Sequence, residues 1–195
     1  MDVIKKAVEV LNRDGIVIYP TETVYGLGCN AYSLNAVKRV FEIKKRKANE
    51  PLSLAVSSFE MLQEIAYVDE AAWDFIVKFL PGPITVLLLK KPIVPDFVTS
   101  GSKIVGIRFP DHKIALELIS QFGKPITSTS ANISGEPAPK SADEVKVKAD
   151  FLIDGGKCYY GKASTIVDLV NKKIVREGPR LEEVQKFLMS TSPTA

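Results

Sequence analysis

Four cations and a group of hydroxyls carry most of the chemistry legible in this chain. Lys44, Arg46, Arg108 and Arg176 stand among Thr21, Thr23, Ser128, Ser130, Asn132, Ser164 and Thr165. Residues of these kinds hold and redistribute negative charge with little need of a protein base, which is what phosphoryl or nucleotidyl transfer requires. Each also has a plainer explanation, since loop Ser and Thr build turns and arginines at strand ends form surface pairs. Their convergence on a few loops favours a polyanion pocket.

Other chemistries are short of parts. The single histidine, His112, leaves no His-based metal cluster and no Ser-His-Asp triad with a choice of base. It reads as a surface or capping residue, and no metal ligand is assigned. Neither G-x-x-x-x-G-K-S/T nor G-x-G-x-x-G occurs, so neither standard phosphate loop applies. Cys29 and Cys158 belong to no paired motif and are expected as buried thiols in a reducing cytoplasm.

The elements that must position these groups follow from periodicity and punctuation. Ile16 to Tyr19 is a short apolar strand stopped by Pro20. The loop Pro20 to Gly28 packs hydroxyls, Glu22 and two glycines together, which suits close approach of backbone to a ligand. Ser33 caps a helix whose stripe, Ala36, Val37, Val40 and Phe41, continues to Lys44 and so directs that ammonium inward. Lys45, Arg46 and Lys47 beside it suit either an anion site or a helix C-terminus dressed to match its dipole. Strands are expected at 52–56, 84–89, 104–109, 124–128, 151–153, 164–170 and 174–176. Asn171-Lys172 reads as a hairpin turn between the last two.

Further helices are expected after Asp2, after a Ser57–Glu60 capping box, after Asp69, after Asp111 and over 181–188. Ser141 to Glu144 offers a short capped helix. Residues 92–102 and 128–135 read as loops. The alternation predicts a single α/β domain over 1–188 with a twisted mixed parallel/antiparallel sheet, and a disordered tail over 189–195. The loops at strand ends carry the polar kit, where open α/β sheets place ligands.

With 195 residues, 46% hydrophobic, 25% charged and a net charge of +3, the chain has the composition of an ordinary soluble domain with a mild preference for polyanions. It shows no secretory signal, and no apolar run approaches the roughly 20 residues that span a bilayer.

The phrases YPTETVYGLGCNA, the K-x-R of Lys44 and Arg46 followed by Pro51-Leu52, FLPGPITVLL, GIRFPDH, PITSTSANISGEPA, DGG, and STIVDL followed by VREG occur in that order over residues 15 to 178. They resemble the motifs of the Sua5/YciO/YrdC family. The resemblance implies a YrdC-like fold with a concave basic ligand cavity. It also implies a nucleotidyltransferase activity, threonylcarbamoyl-AMP synthesis. Such enzymes join L-threonine, bicarbonate and ATP into the activated intermediate for N6-threonylcarbamoyladenosine at position 37 of tRNAs that read ANN codons.

By residue, the resemblance implies Lys44 and Arg46 as catalytic and phosphate-binding, with Mg2+ sharing that work. Ser130, Asn132 and Arg176 would complete the ATP site. Thr23, Arg108, Ser128 and Ser164 match the threonine-binding positions, and a guanidinium such as Arg108 grips a carboxylate bidentately. Partners implied are a downstream tRNA threonylcarbamoyl transferase complex and tRNA or double-stranded RNA. Alternative readings are a YciO-like paralogue and an RNA-binding protein without the activity. The chain departs from common members at Lys47, where many have Pro, and at Ala55, where many have His.

Overall fold

A computed structural model of the chain describes residues 2–47 and 49–190. Nine strands form one continuous sheet: β1 (Val17–Tyr19), β2 (Gly26–Gly28), β3 (Ser53–Ala55), β4 (Ile84–Leu89), β5 (Ile104–Arg108), β6 (Ile126–Ser130), β7 (Phe151–Leu152), β8 (Thr165–Asp168) and β9 (Lys173–Arg176). Their order is β7-β1-β2-β6-β3-β5-β4-β8-β9. Pairs β1/β7, β3/β5 and β4/β8 are parallel, and the other five are antiparallel. The sheet is mixed, as predicted, and the β8/β9 pair is the expected hairpin, with Lys172 at φ 51 in its turn.

Helices α1 (Val3–Asn12), α2 (Leu34–Lys44), α3 (Phe59–Ile65), α4 (Glu70–Phe79), α5 (Asp96–Thr99), α6 (Lys113–Phe122) and α7 (Leu181–Ser190) flank the sheet. Two apolar cores result. One joins α1, α6 and the β1 end of the sheet through Leu11, Leu118, Ile119 and Ile126. The larger gathers α2, α3, α4 and α7 against β4, β5 and β8. Trp73 is only partly buried there, edge-on to Phe59 at 5.4 Å between ring centroids.

Several local expectations shift. Gly26–Gly28, expected as loop, is strand β2, because tertiary pairing with Tyr19 and Ser130 overrides the weak strand propensity of glycine. The strand expected to end at Ser128 runs on to Ser130. Helix α5 interrupts the expected 92–102 loop, started by Pro95 and Asp96. The cap of α3 is Ser58, whose side chain accepts from Met61 N, one residue later than expected. The cap position of α6 is His112, not Asp111, and it makes no side-chain cap bond. Helix α7 extends through Met189 and Ser190, expected as the start of the tail; 191–195 lie outside the described residues.

Candidate active site

The period-2 alternation of strands places one set of side chains on one face of the sheet. Register pairs Ser53 with Ser128, Gly26 with Ser130, Thr85 with Arg108, and Thr85 with Ile166. All of these line a single cavity of about 480 Å³, together with Thr21, Thr23, Arg46, Gly106, Ser164 and Arg176. That volume is within the range of small-molecule sites. Among the described residues, the lining contains three arginines and no carboxylate.

The wall between β1 and β2 is a hydroxyl-stapled turn. Thr21 Oγ1 donates to Val24 O at 2.6 Å and accepts from Thr23 N at 3.1 Å and Val24 N at 3.2 Å. It also lies 2.8 Å from Thr23 Oγ1, which fixes the threonine hydroxyl facing the cavity. Beneath, the Tyr19 ring lies across β2. A Cβ added at Gly26 would stand 2.8 Å from Tyr19 Cζ, and one at Gly28 2.9 Å from Tyr19 Cε1. Burial pushes the Tyr19 hydroxyl up to about 12, against the opposing influence of Ser128.

Arg108, at the end of β5, is held from three sides. Its Nη1 donates to Gly82 O and, at 2.8 Å, to Ile84 O. Its Nη2 donates to Glu22 Oε1 at 2.6 Å, and the two side chains are only 6% and 7% exposed. Nε has no protein partner among the described residues, so a planar donor remains for a ligand.

Arg176, at the end of β9, folds back on Ser164. Nε and Nη2 donate to Ser164 O at 3.0 and 2.8 Å, and Nη2 to Ser164 Oγ at 3.1 Å. Ser164 Oγ is 2.7 Å from Thr85 Oγ1. Burial, then the charge of Arg108, lowers Arg176 from its ordinary value. The two guanidiniums therefore act on one region.

The helix that delivers the K-x-R pair ends in a left-handed residue, Lys45 at φ 48, which separates its neighbours. Arg46 reaches the cavity, with Nε donating to Glu50 O at 3.2 Å and Nη2 to Pro51 O at 2.9 Å. Lys44 is outside the cavity lining and 2% exposed. Burial, then Arg46, pushes Lys44 down to about 8. Its Nζ donates to Ser130 O at 2.6 Å, Asn132 O at 2.8 Å and Asn132 Oδ1 at 3.2 Å.

The structure thus brings Thr23, Arg46, Arg108, Ser128, Ser130, Ser164 and Arg176 to one cavity. Lys44 and Asn132, expected in the same site, are not in its lining. Asn132 lines a separate cavity of about 240 Å³ with Glu136, the Pro137–Pro139 segment, Glu144 and Lys146. Sequence reasoning missed Glu22 and Thr85 as site partners. Glu22 carried one signal, a carboxylate inside the hydroxyl-rich turn. His112 is half-buried at the α6 N-terminus, lowered by burial, outside the cavity. Cys29 and Cys158 are free and buried. Ala55 faces the Arg108 side of β3 but is 1% exposed, packed in the apolar cluster with Tyr19.

The Sua5_yciO_yrdC family model, described as telomere recombination, matches residues 9–178. A threonylcarbamoyl-AMP synthase of Pyrococcus abyssi is 44% identical over 185 residues, and the match covers 90% of this chain but 54% of that protein. The chain therefore spans about half the length of that relative. An Escherichia coli threonylcarbamoyl-AMP synthase is 35% identical over 188 residues, 91% of this chain and 96% of that protein. A crystal structure of P. abyssi Sua5 complexed with L-threonine superposes with a TM-score of 0.89 at 42% identity, covering 94% of this chain and 56% of that one. Escherichia coli YciO superposes at 0.81 with 29% identity, covering 90% and 89%. With a family model spanning most of its length and a shared fold, the chain belongs to the Sua5/YciO/YrdC family.

Proposed function

We propose that the chain is an L-threonylcarbamoyladenylate synthase, a nucleotidyltransferase that makes threonylcarbamoyl-AMP and pyrophosphate from L-threonine, bicarbonate and ATP. The observation that carries this reading is the cavity itself: three arginines, hydroxyls from six segments and, among the described residues, no carboxylate on its wall. The names of relatives and the threonine complex of a 42% identical structure support it.

The reaction gathers negative charge at every stage. The threonine amine bonds to the bicarbonate carbon, and water leaves, giving a carbamate. A carbamate oxygen then attacks the α-phosphorus of ATP, and the bond to the β-phosphate oxygen breaks, releasing pyrophosphate. Arg108, pre-oriented by Glu22 and two backbone carbonyls, would take the threonine carboxylate, with Thr23, Ser128 and Ser164 around the rest of the amino acid. Arg46, Arg176 and Ser130 would hold phosphate oxygens, where fixed cations stabilise the charge that develops during transfer. The cavity wall offers Mg2+ hydroxyls without a carboxylate cage, so the ion belongs with the triphosphate as part of the substrate.

The product would serve the tRNA threonylcarbamoyl transferase complex in the cytoplasm, with tRNA or double-stranded RNA as a further partner of the basic surface. Among the described residues no helix is long and apolar enough to cross a membrane.

A second reading, a YciO-like protein that activates another carbamate, is favoured by one feature. Ala55 is sealed in apolar packing and offers no polar group to an amino acid.

The test is incubation with ATP, Mg2+, bicarbonate and L-threonine, each omitted in turn, with mass spectrometry of the adenylate. A product that needs all the substrates sustains the synthase. Bound ATP with an adenylate formed only from another amino acid moves the assignment to the second reading.

A further inference from the structure

We propose that Lys44 is a positioning residue for the nucleotide side of the site, not a ligand of the phosphates; this rests on the nucleotide reading of the cavity. An ammonium has three N–H donors. Here each meets a carbonyl oxygen, of Ser130 at 2.6 Å, Asn132 at 2.8 Å and the Asn132 side chain at 3.2 Å. No donor is left for an anion, and the side chain is 2% exposed, off the cavity wall.

The arrangement reads as a clamp. The Lys44 carbonyl accepts from Ser134 N at 2.8 Å, so backbone and side chain of one residue bind both ends of the segment 130–134. Within it, Ser130 Oγ donates to Asn132 Oδ1 at 2.5 Å, and Asn132 Nδ2 donates to Glu136 O at 2.6 Å. Asn132 thereby helps to hold the turn through both ends of its amide, and Ser130 is the member of this network that faces the cavity. The left-handed Lys45 then turns Arg46 outward, so the K-x-R pair divides its labour. Lys44 fixes the platform and Arg46 meets the ligand. A buried ammonium with three acceptors is costly to strip from them, which favours the clamp over release to a phosphate.

The experiment compares wild type with Lys44→Met, Lys44→Arg, Arg46→Ala, Ser130→Ala and the Lys44→Met/Ser130→Ala double variant. Backbone amide exchange at residues 131–134 is measured without ligand. The clamp predicts that Lys44→Met speeds exchange there about tenfold or more, and that Lys44→Arg restores part of the protection. With MgATP, Lys44→Met should raise the ATP KM about tenfold, leave kcat within about threefold and add little to Ser130→Ala. The salt dependence of ATP affinity should fall in Arg46→Ala and stay at the wild-type slope in Lys44→Met.

Unchanged exchange in Lys44→Met, or a salt slope reduced as in Arg46→Ala, overturns the proposal. Since exchange is read without nucleotide, wild-type protein that fails to bind MgATP would sink the nucleotide reading, leaving the clamp to be judged by exchange. Should Lys44→Met not fold, Lys44→Arg decides: exchange at 131–134 faster than wild type with the wild-type salt slope sustains the clamp, and unchanged exchange or a reduced slope overturns it.

Discussion

Glu22 Oε1 receives Arg108 Nη2 at 2.6 Å across 86 residues of sequence, with both side chains almost closed to solvent. Arg108 lines the cavity, and Glu22 holds it from behind the lining. Burial of two charges costs about as much as their attraction returns, but removing one partner strands the other.

Glu22→Ala should therefore lower stability by about 3–5 kcal/mol, measured by denaturant unfolding. Glu22→Gln keeps an acceptor for Nη2 and should cost less. Its signature is kinetic, a threonine KM raised more than the ATP KM, because Arg108 loses the group that aims it. Equal effects on both substrates would show that Arg108 is not on the amino-acid side.

Lys44 is pushed down to about 8 from an ordinary 10.5. Between those values the folded protein holds fewer protons on this group than the unfolded chain does. The group's own contribution to stability therefore rises with pH across that window. The neutral amine has two donors for three carbonyls, so the turn at Ser130 should loosen over the same range. The expected outcome is an ATP KM that climbs above pH 8 without a matching loss of melting temperature. In Lys44→Met both trends should disappear, and a parallel fall of stability and affinity in wild type would refute the assignment to Lys44.

Glu50 sits against Arg46, its Oε2 3.5 Å from Nε. A carboxylate there competes with phosphate for a partly buried guanidinium, 24% exposed. Glu50→Gln should lower the ATP KM about two- to fivefold at low ionic strength, with the gain shrinking as salt is added. Titration calorimetry at two salt concentrations checks this, and weaker binding in the variant would mean that Glu50 holds Arg46 in place for the nucleotide.

Element order was legible because its punctuation is chemical. Asp2, Ser33 and Asp69 cap the helices expected of them, and Gly123 closes α6 at φ 72. The inward direction of Lys44 followed from a 3.6-residue stripe. What periodicity could not give is the partner at the far end. Nothing in the turn at Glu22 points to Arg108, and nothing near Lys44 says that its acceptors are carbonyls of β6 and the turn after it. β2 was missed for the same reason, since Gly26-Leu27-Gly28 is a strand through its pairing with β1 and β6, and its glycines leave room for the Tyr19 ring. Those are tertiary facts, and local propensity carries no record of them.

Ser164 joins the two halves of the cavity. Expected with threonine, it accepts from Arg176, expected with ATP, and lies 2.7 Å from Thr85. Ser164→Ala removes the hydroxyl and frees Arg176 Nη2 from one of its two Ser164 acceptors, while the carbonyl contacts remain. Each lost bond is worth about 0.5–1.5 kcal/mol, so both KM values should rise about three- to tenfold. Ser128→Ala, on β6 and without a hydrogen bond to an arginine among the described residues, should raise the threonine KM alone. Steady-state kinetics with each substrate varied in turn separates the cases. An effect of Ser164→Ala confined to threonine would mean that Arg176 is anchored by the backbone carbonyl alone, and that the two half-sites are independent on this side of the sheet.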